Sequence, residues 1–221
     1  MDQQKMNNEQ IAERLISLFS YNELMFAYYC GSRAYDTTTP SSDIDIVAVF
    51  SDLKGITHAS LGDIDIFAYG IDSFIQRQSI SDELPLYNLI HADDFIKAKS
   101  NLVYLNPKYK SDFDKLSKID FSRVLYAFLE AFIKYYDSLI NDQKLVVKRS
   151  YHIYRVKSII DHYKESGKYE IALSKKELDK IAHYKKNWET LDSSIILELS
   201  NILTEIKDFN ENLKAVDKHE D

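Results

Sequence analysis

The residues whose type and spacing point most directly to chemistry are four aspartates in two copies of one pattern. These are Asp43-Ile44-Asp45-Ile46-Val47 and Asp63-Ile64-Asp65-Ile66-Phe67. Side chains on a strand alternate between faces, so Asp43 and Asp45 point one way, and Asp63 and Asp65 form a second such pair. Aspartate is a poor strand former, and carboxylates gathered on one face repel each other unless something neutralises them. The natural neutraliser is a divalent cation with oxygen ligands, most often Mg²⁺ carrying a nucleotide's phosphates. Two exposed strand faces with solvated acids would be the bland alternative. Just upstream, the hydrophobic run Met25 to Tyr29 delivers the chain into Gly31-Ser32, a strand-to-turn handover where backbone amides can hold phosphate. Gly31 permits close backbone approach. A Gly-Ser pair alone carries no signal; its weight comes from the carboxylates that follow.

Gly31-Ser32, an interval of ten residues, Asp43-x-Asp45 and a third carboxylate on a later strand resemble the signature of the DNA polymerase beta superfamily of nucleotidyltransferases. The chain is more closely similar to the bacterial and phage polymerase-beta-like proteins associated with RNA repair, which carry a G-S-R-A-Y-G-x-x-x-P-x-S-D-x-D stretch. Gly31-Ser32-Arg33-Ala34-Tyr35, Pro40, Ser42-Asp43 and Asp45 stand in register with it, and Asp36 replaces the family's glycine. The resemblance implies an α/β (α+β) nucleotidyltransferase core with a mixed sheet flanked by helices, followed by an all-helical C-terminal domain. It implies a nucleoside triphosphate as substrate and one or two Mg²⁺ held by Asp43, Asp45 and Asp65, with Asp65 also helping to deprotonate the attacking hydroxyl. Asp65 is preferred to Asp63 because Asp65-Ile-Phe-Ala-Tyr69 ahead of Phe74 follows the family's D-x-x-x-Y pattern. Gly31 and Ser32 would bind the β or γ phosphate. Arg33 would contact phosphate or form a surface ion pair. The implied acceptor is an RNA end such as tRNA; other members of the superfamily modify proteins or small molecules. A non-catalytic binder of nucleotide or protein is the alternative that Asp36 and the acidic tail from Glu189 leave open.

Lys148, His152 and Arg155 stand at i, i+4 and i+7, one face of a helix. The same family carries K-x-x-x-H-x-x-R on a helix after its catalytic domain. The resemblance implies that this face closes over the triphosphate or the acceptor; a polar helix face with an interdomain histidine would look the same in sequence.

The elements that must position these groups follow from periodicity. Ile11, Leu15, Ile16 and Phe19 are at helical spacing, with Asn7 or Asn8 as N-cap. A strand then enters the Gly31-Ser32 turn, Arg33 to Tyr35 opens a short helix, and Pro40 keeps the polar loop before Asp43 from being helical. Ile44 to Phe50 and Ile64 to Tyr69 read as strands whose connection, with Gly55 and Gly62, suits an antiparallel pair. Helices are expected over Ile71 to Arg77 and Leu84 to Ala98, and a strand over Asn101 to Tyr104. From Phe121 the spacing is helical over 121–140, 144–165, 174–186 and 191–214, interrupted near Gly167. The expected domains are 1–112, catalytic, and 113–221, helical.

A chain of 221 residues, 45% hydrophobic and 29% charged, is that of an ordinary globular protein with one large core or two modest ones. No apolar run approaches a membrane span, and Met1 to Glu9 lacks a signal peptide's apolar region, so a cytoplasmic location with no membrane partner is expected. The lone cysteine, Cys30, excludes an internal disulfide and a cysteine-rich zinc site, and its place at a strand end marks it as buried. The net charge of −7 argues against nucleic-acid binding by the surface at large. Its distribution is uneven: Gln143 to Lys186 holds twelve Lys/Arg against five Asp/Glu, and Asn187 to Asp221 three against nine. The basic stretch is able to face phosphates, although a solvated helix face is the commoner origin of such a run. Tyr151, Tyr154, Tyr163, Tyr169 and Tyr184 lie near it and are able to stack bases, or more ordinarily to pack.

Overall fold

The computed structural model describes residues 6–39, 42–78, 95, 97–117, 121–142, 147–167, 173–186 and 193–217. They fall into two compact units, one of the described residues up to 117 and one from 121 onward.

The first unit is built on a five-stranded mixed sheet in the order β3-β4-β2-β1-β5. Its elements are α1 (Asn8–Leu18), β1 (Leu24–Tyr29), β2 (Ile44–Phe50), β3 (Ile56–Leu61), β4 (Ile64–Gly70), α2 (Ile71–Gln78), β5 (Leu102–Leu105) and α3 (Lys110–Leu116). The helix at the start is fixed by a capping box. Asn7 accepts from the Gln10 amide at 2.9 Å and the Gln10 side chain accepts from the Asn7 amide at 3.0 Å. It lays Ile11 and Leu15 on one sheet face, against Leu24, Ala27, Ile44, Ile46, Ala48, Ile64 and Ile66. Ile16, grouped with that stripe by spacing, points outward and is 44% exposed.

The opposite face carries an aromatic core. Phe26 on β1 has ring centroids 5.6 Å from Phe74, 6.0 Å from Phe95 and 5.1 Å from Phe113, mostly edge-to-face. Such pairs contribute about 0.5–1.5 kcal/mol each beyond burial. Phe113 lies on α3, so that helix belongs to the first unit. Of the helix expected over Leu84 to Ala98, Phe95, Lys97 and Ala98 alone are described; Pro40 and Ser41 also lie outside the described residues.

One expectation is corrected. The two aspartate-bearing strands β2 and β4 are parallel, in the register Ile44↔Ile64 through Phe50↔Gly70. Parallel neighbours need a crossover, and the segment read as a plain connection supplies it as a strand: β3 runs back along the outer side of β4 as its antiparallel partner. Gly55 and Gly62 bracket β3 with φ of +75° and +66°. The consequence matters for the site, because parallel strands bring both aspartate pairs to the same edge of the sheet.

The second unit is helical: α4 (Phe121–Asn141), α5 (Val147–Ser166), α6 (Lys175–Lys186) and α7 (Ser193–Asp217). Leu125, Phe128, Leu129, Phe132 and Tyr136 on α4 form a stripe at i+3 and i+4 spacing, packed with Ile153, Val156 and Ile160 of α5, Ile181 of α6, and Leu199, Leu203 and Ile206 of α7. Gly167, with φ +66°, ends α5, its amide donating to Tyr163 at 2.8 Å. Ion pairs link the helices at their rims, Lys207 to Asp137 at 2.6 Å and Lys157 to Glu205 at 3.3 Å, and Lys157 also pairs within α5 with Asp161 at 2.6 Å. Among the described residues no helix is long and apolar enough to cross a membrane.

Candidate active site

Sheet register assembles the carboxylates. Asp45 of β2 and Asp65 of β4 are direct neighbours in the parallel pair, so their side chains leave the same face of adjacent strands about 5 Å apart. Ser60 on β3 is the antiparallel partner of Asp65 and donates its hydroxyl to Asp65 Oδ1 at 2.7 Å. The row Ser60, Asp65, Asp45 thus crosses three strands. Both aspartates are half-buried.

The row ends at the turn after β1. The Cys30 amide donates to the Asp45 carbonyl at 2.9 Å, which docks the turn on β2. Gly31 follows with φ +58°, a conformation that glycine adopts without strain. A side chain there would collide with Asp45, since a Cβ on Gly31 would lie 3.0 Å from Asp45 Cγ and closer still to the carboxylate oxygen Oδ2. Glycine is therefore favoured twice, by backbone conformation and by the aspartate pressed against it. Gly31–Arg33 makes one 3₁₀ turn. The Ser32 carbonyl accepts from the Thr37 amide at 2.9 Å and its hydroxyl at 3.3 Å, closing the loop upon itself.

Asp36 has φ +56°, alone among the described non-glycine residues in having a positive φ. The position that holds glycine in the resembling family thus has glycine's conformation here, and aspartate is among the side chains that tolerate it best.

The remaining expected residues are dispersed more widely. Asp43 and Asp63 are exposed, each immediately before its strand, and the Asp63 carbonyl accepts from the Ile44 amide at 2.9 Å. Arg33 turns away from the acids. Its guanidinium sits 5.5 Å over the Tyr29 ring, and Tyr29 is paired with Ile46 on the α1 side of the sheet. There the Tyr29 hydroxyl donates to Asn8 at 2.7 Å, burial raises its pKa, and Arg33 opposes the rise. Arg33 Nε is buried and makes no hydrogen bond.

Lys148, His152 and Arg155 all lie on α5, as their spacing requires, in the second unit. The side chain of Lys148 lies outside the described residues. His152 is half-buried and packs on Tyr151 at 4.0 Å between ring centroids. Arg155 is only 2% exposed and lies beside Tyr136. Burial pushes the Tyr136 hydroxyl well above its ordinary pKa, and the Arg155 charge partly offsets that. Nearby in this unit, Lys175, Lys176, Lys180 and His183 of α6 line an open hollow of about 710 Å³ together with Asp179 and Glu198. Tyr154 is buried and carries Lys180 Nζ at 5.3 Å over its ring, and Tyr163 meets Phe209 edge-on at 6.0 Å, so both pack. Tyr169 and the side chain of Tyr184 lie outside the described residues.

Asp45 and Asp65 present oxygen donors suited to a hard cation. Mg²⁺ commonly takes one or two carboxylates from a protein and completes its shell with phosphates and water, which fits a pair of acids beside a glycine-lined turn. Among the described residues no group of three or more His, Cys, Asp and Glu gathers as a ready metal cage.

Ser60 and His58 also lie on this face, and the sequence pattern, which reads as a plain connection over β3, does not place them there. The β-branched pair Ile56-Thr57 between Gly55 and Gly62 was the available signal.

No protein-family model matches the chain, and no curated protein does. Among solved structures it is similar to a nucleotidyltransferase-like protein from Exiguobacterium sibiricum, at 13% identity and a TM-score of 0.34, over 92% of this chain and 74% of that one. A likeness of that degree assigns no activity.

Proposed function

We propose that this chain is a Mg²⁺-dependent nucleotidyltransferase that moves a nucleoside monophosphate from a nucleoside triphosphate to an RNA end such as that of a tRNA. The observation that carries the reading is the row of Asp65 and Asp45 on adjacent parallel strands, with the Gly31 turn pressed against Asp45. Solvated acids on a surface need no such neighbour.

In this reading Asp45 and Asp65, with Asp43 at the strand mouth, hold Mg²⁺, which supplies charge neutralisation to the triphosphate and to the pentavalent transition state. The Ser32 amide and hydroxyl bind the β or γ phosphate, and Gly31 lets the backbone approach it. An acceptor hydroxyl attacks the α-phosphorus in line, its proton passes to Asp65, and the bond to the bridging oxygen breaks as pyrophosphate leaves. Ser60 holds Asp65 in place by its 2.7 Å hydrogen bond. Arg33 would reach phosphate only by leaving Tyr29. Lys148, His152 and Arg155 are proposed as nucleotide-binding residues of the helical unit, where the lysines of α6 offer RNA a cationic surface.

The test is transfer of label from each α-labelled triphosphate, with Mg²⁺, to total RNA and to cell lysate. Label in RNA, lost with Asp45→Asn, is expected. Label only in protein would replace the RNA acceptor by a protein one. Triphosphate bound without release of pyrophosphate to any acceptor would make the chain a non-catalytic binder.

A further inference from the structure

We propose that His58 is a base-stacking residue, its ring, backed by Phe67, receiving the terminal nucleobase of a nucleic-acid acceptor beside the carboxylate row. The proposal rests on the nucleotidyltransferase reading and names the chemistry of its acceptor.

His58 and Phe67 are cross-strand partners on β3 and β4, on the face that bears Asp45 and Asp65. Their rings stack with centroids 4.8 Å apart and planes 20° from parallel. Phe67 covers one face of the imidazole. The other looks off the sheet, because β3 is its outermost described strand, and the His58 side chain is 56% exposed. The tip of the ring points toward the row, with Nε2 3.8 Å from Asp65 Oδ1, the oxygen that Ser60 anchors. An exposed side chain on an edge strand is ordinarily free to turn into water. This one is stacked on Phe67 with a flat face outward, so less ordering entropy remains to be lost when a second ring lands on it.

Position argues for what that ring is. The His58–Phe67 step lies two residues along the strands from the Ser60–Asp65–Asp45 row, about 7 Å. A ribose bridges a base to its hydroxyls over a comparable span. A base stacked on His58 would therefore direct the hydroxyls of its own sugar toward Asp65, the carboxylate assigned to deprotonate the attacking group. Every base has a π-face, so such a platform would hold a terminal nucleotide with little regard to sequence. His58 touches the acceptor in this scheme and positions it; it takes no proton.

The test needs no turnover. A short RNA ending in 2-aminopurine, titrated into the full-length chain with Mg²⁺, is expected to lose fluorescence as its terminal base stacks. His58→Ala is expected to abolish the quenching and weaken binding about tenfold, and His58→Trp to restore both. An RNA with an abasic terminus is expected to bind the parent chain and His58→Ala alike. Equal quenching by His58→Ala and the parent chain, restoration by a non-aromatic His58→Gln, or no binding of the RNA by the parent chain would each overturn the proposal. Because His58 is exposed on an edge strand, these variants keep the fold. Quenching that depends on His58 in a chain that never transfers a nucleotide would uphold the platform and sink the transferase reading, which separates the two failures.

Discussion

Replacing Gly31 by alanine tests the construction of the site through stability, before any substrate is named. The new methyl group meets two separate penalties. The residue must hold φ +58°, which costs an L-amino acid about 1–2 kcal/mol. It must also displace Asp45, whose Cγ would lie 3.0 Å away; driving that side chain off its rotamer or shifting β2 adds about 1–3 kcal/mol. Stiffening of the unfolded chain returns about 0.4–1 kcal/mol, leaving a net loss of about 2–4 kcal/mol. Gly62 is the control: it has φ +66° and no atom within 4 Å of the place a methyl group would take, so Gly62→Ala incurs the backbone penalty alone, about 1 kcal/mol net. The assay is urea unfolding of Gly31→Ala, Gly62→Ala, Asp45→Ala and the Gly31→Ala/Asp45→Ala double variant. The double variant should recover about 1–2 kcal/mol relative to additivity, since the methyl then fills space that the carboxylate vacated. Equal costs at Gly31 and Gly62, or strict additivity with Asp45→Ala, would refute the close packing of turn against carboxylate.

Other consequences follow from the same structure. Asp36→Gly should leave the fold intact and stabilise it by up to about 1 kcal/mol in urea unfolding, because glycine relieves a φ of +56° at the expense of some unfolded-state entropy. Glu23 accepts from Lys108 at 2.8 Å and from Tyr109, and these bonds hold its carboxyl below its ordinary 4.5. A depressed carboxyl pKa stabilises the fold above the unfolded value and stops doing so as pH falls through the folded one. Urea midpoints of Glu23→Gln should therefore fall less steeply than those of the parent chain as pH drops below about 4.5. Arg155→Ala should remove about 3 kcal/mol from the helical unit by emptying a site only 2% exposed. Arg155→Met should recover most of that in thermal unfolding without recovering triphosphate affinity; full recovery of affinity would remove Arg155 from the nucleotide-binding set.

Much of the fold was legible because its signals are local. The α1 cap at Asn7, the aromatic strand entering Gly31, and the long amphipathic helices after Phe121 each announce themselves within a few residues. Strand pairing did not. Whether β2 and β4 run parallel depends on what their connection does, and the outcome turned on Ile56–Leu61, a six-residue edge strand whose face is half solvated and whose hydrophobic alternation is correspondingly weak. The same omission hid His58 and Ser60, which reach the site only through that strand's register. The Asp-x-Asp repeats were readable as pairs on one face, and register then joined Asp45 to Asp65 rather than stacking all four acids. For Arg33 the spacing left phosphate contact and a surface ion pair equally open; its guanidinium lies over Tyr29, a partner set by tertiary packing and invisible to spacing.

Calorimetric titration of the full-length chain with ATP, GTP, CTP and UTP in the presence of Mg²⁺ tests most directly the claim that Asp45 and Asp65 jointly hold a metal-bound triphosphate. The account predicts binding of at least one triphosphate that requires Mg²⁺ and is lost on Asp45→Ala and on Asp65→Ala alike. Binding of no triphosphate, or affinity indifferent to both substitutions, would contradict it.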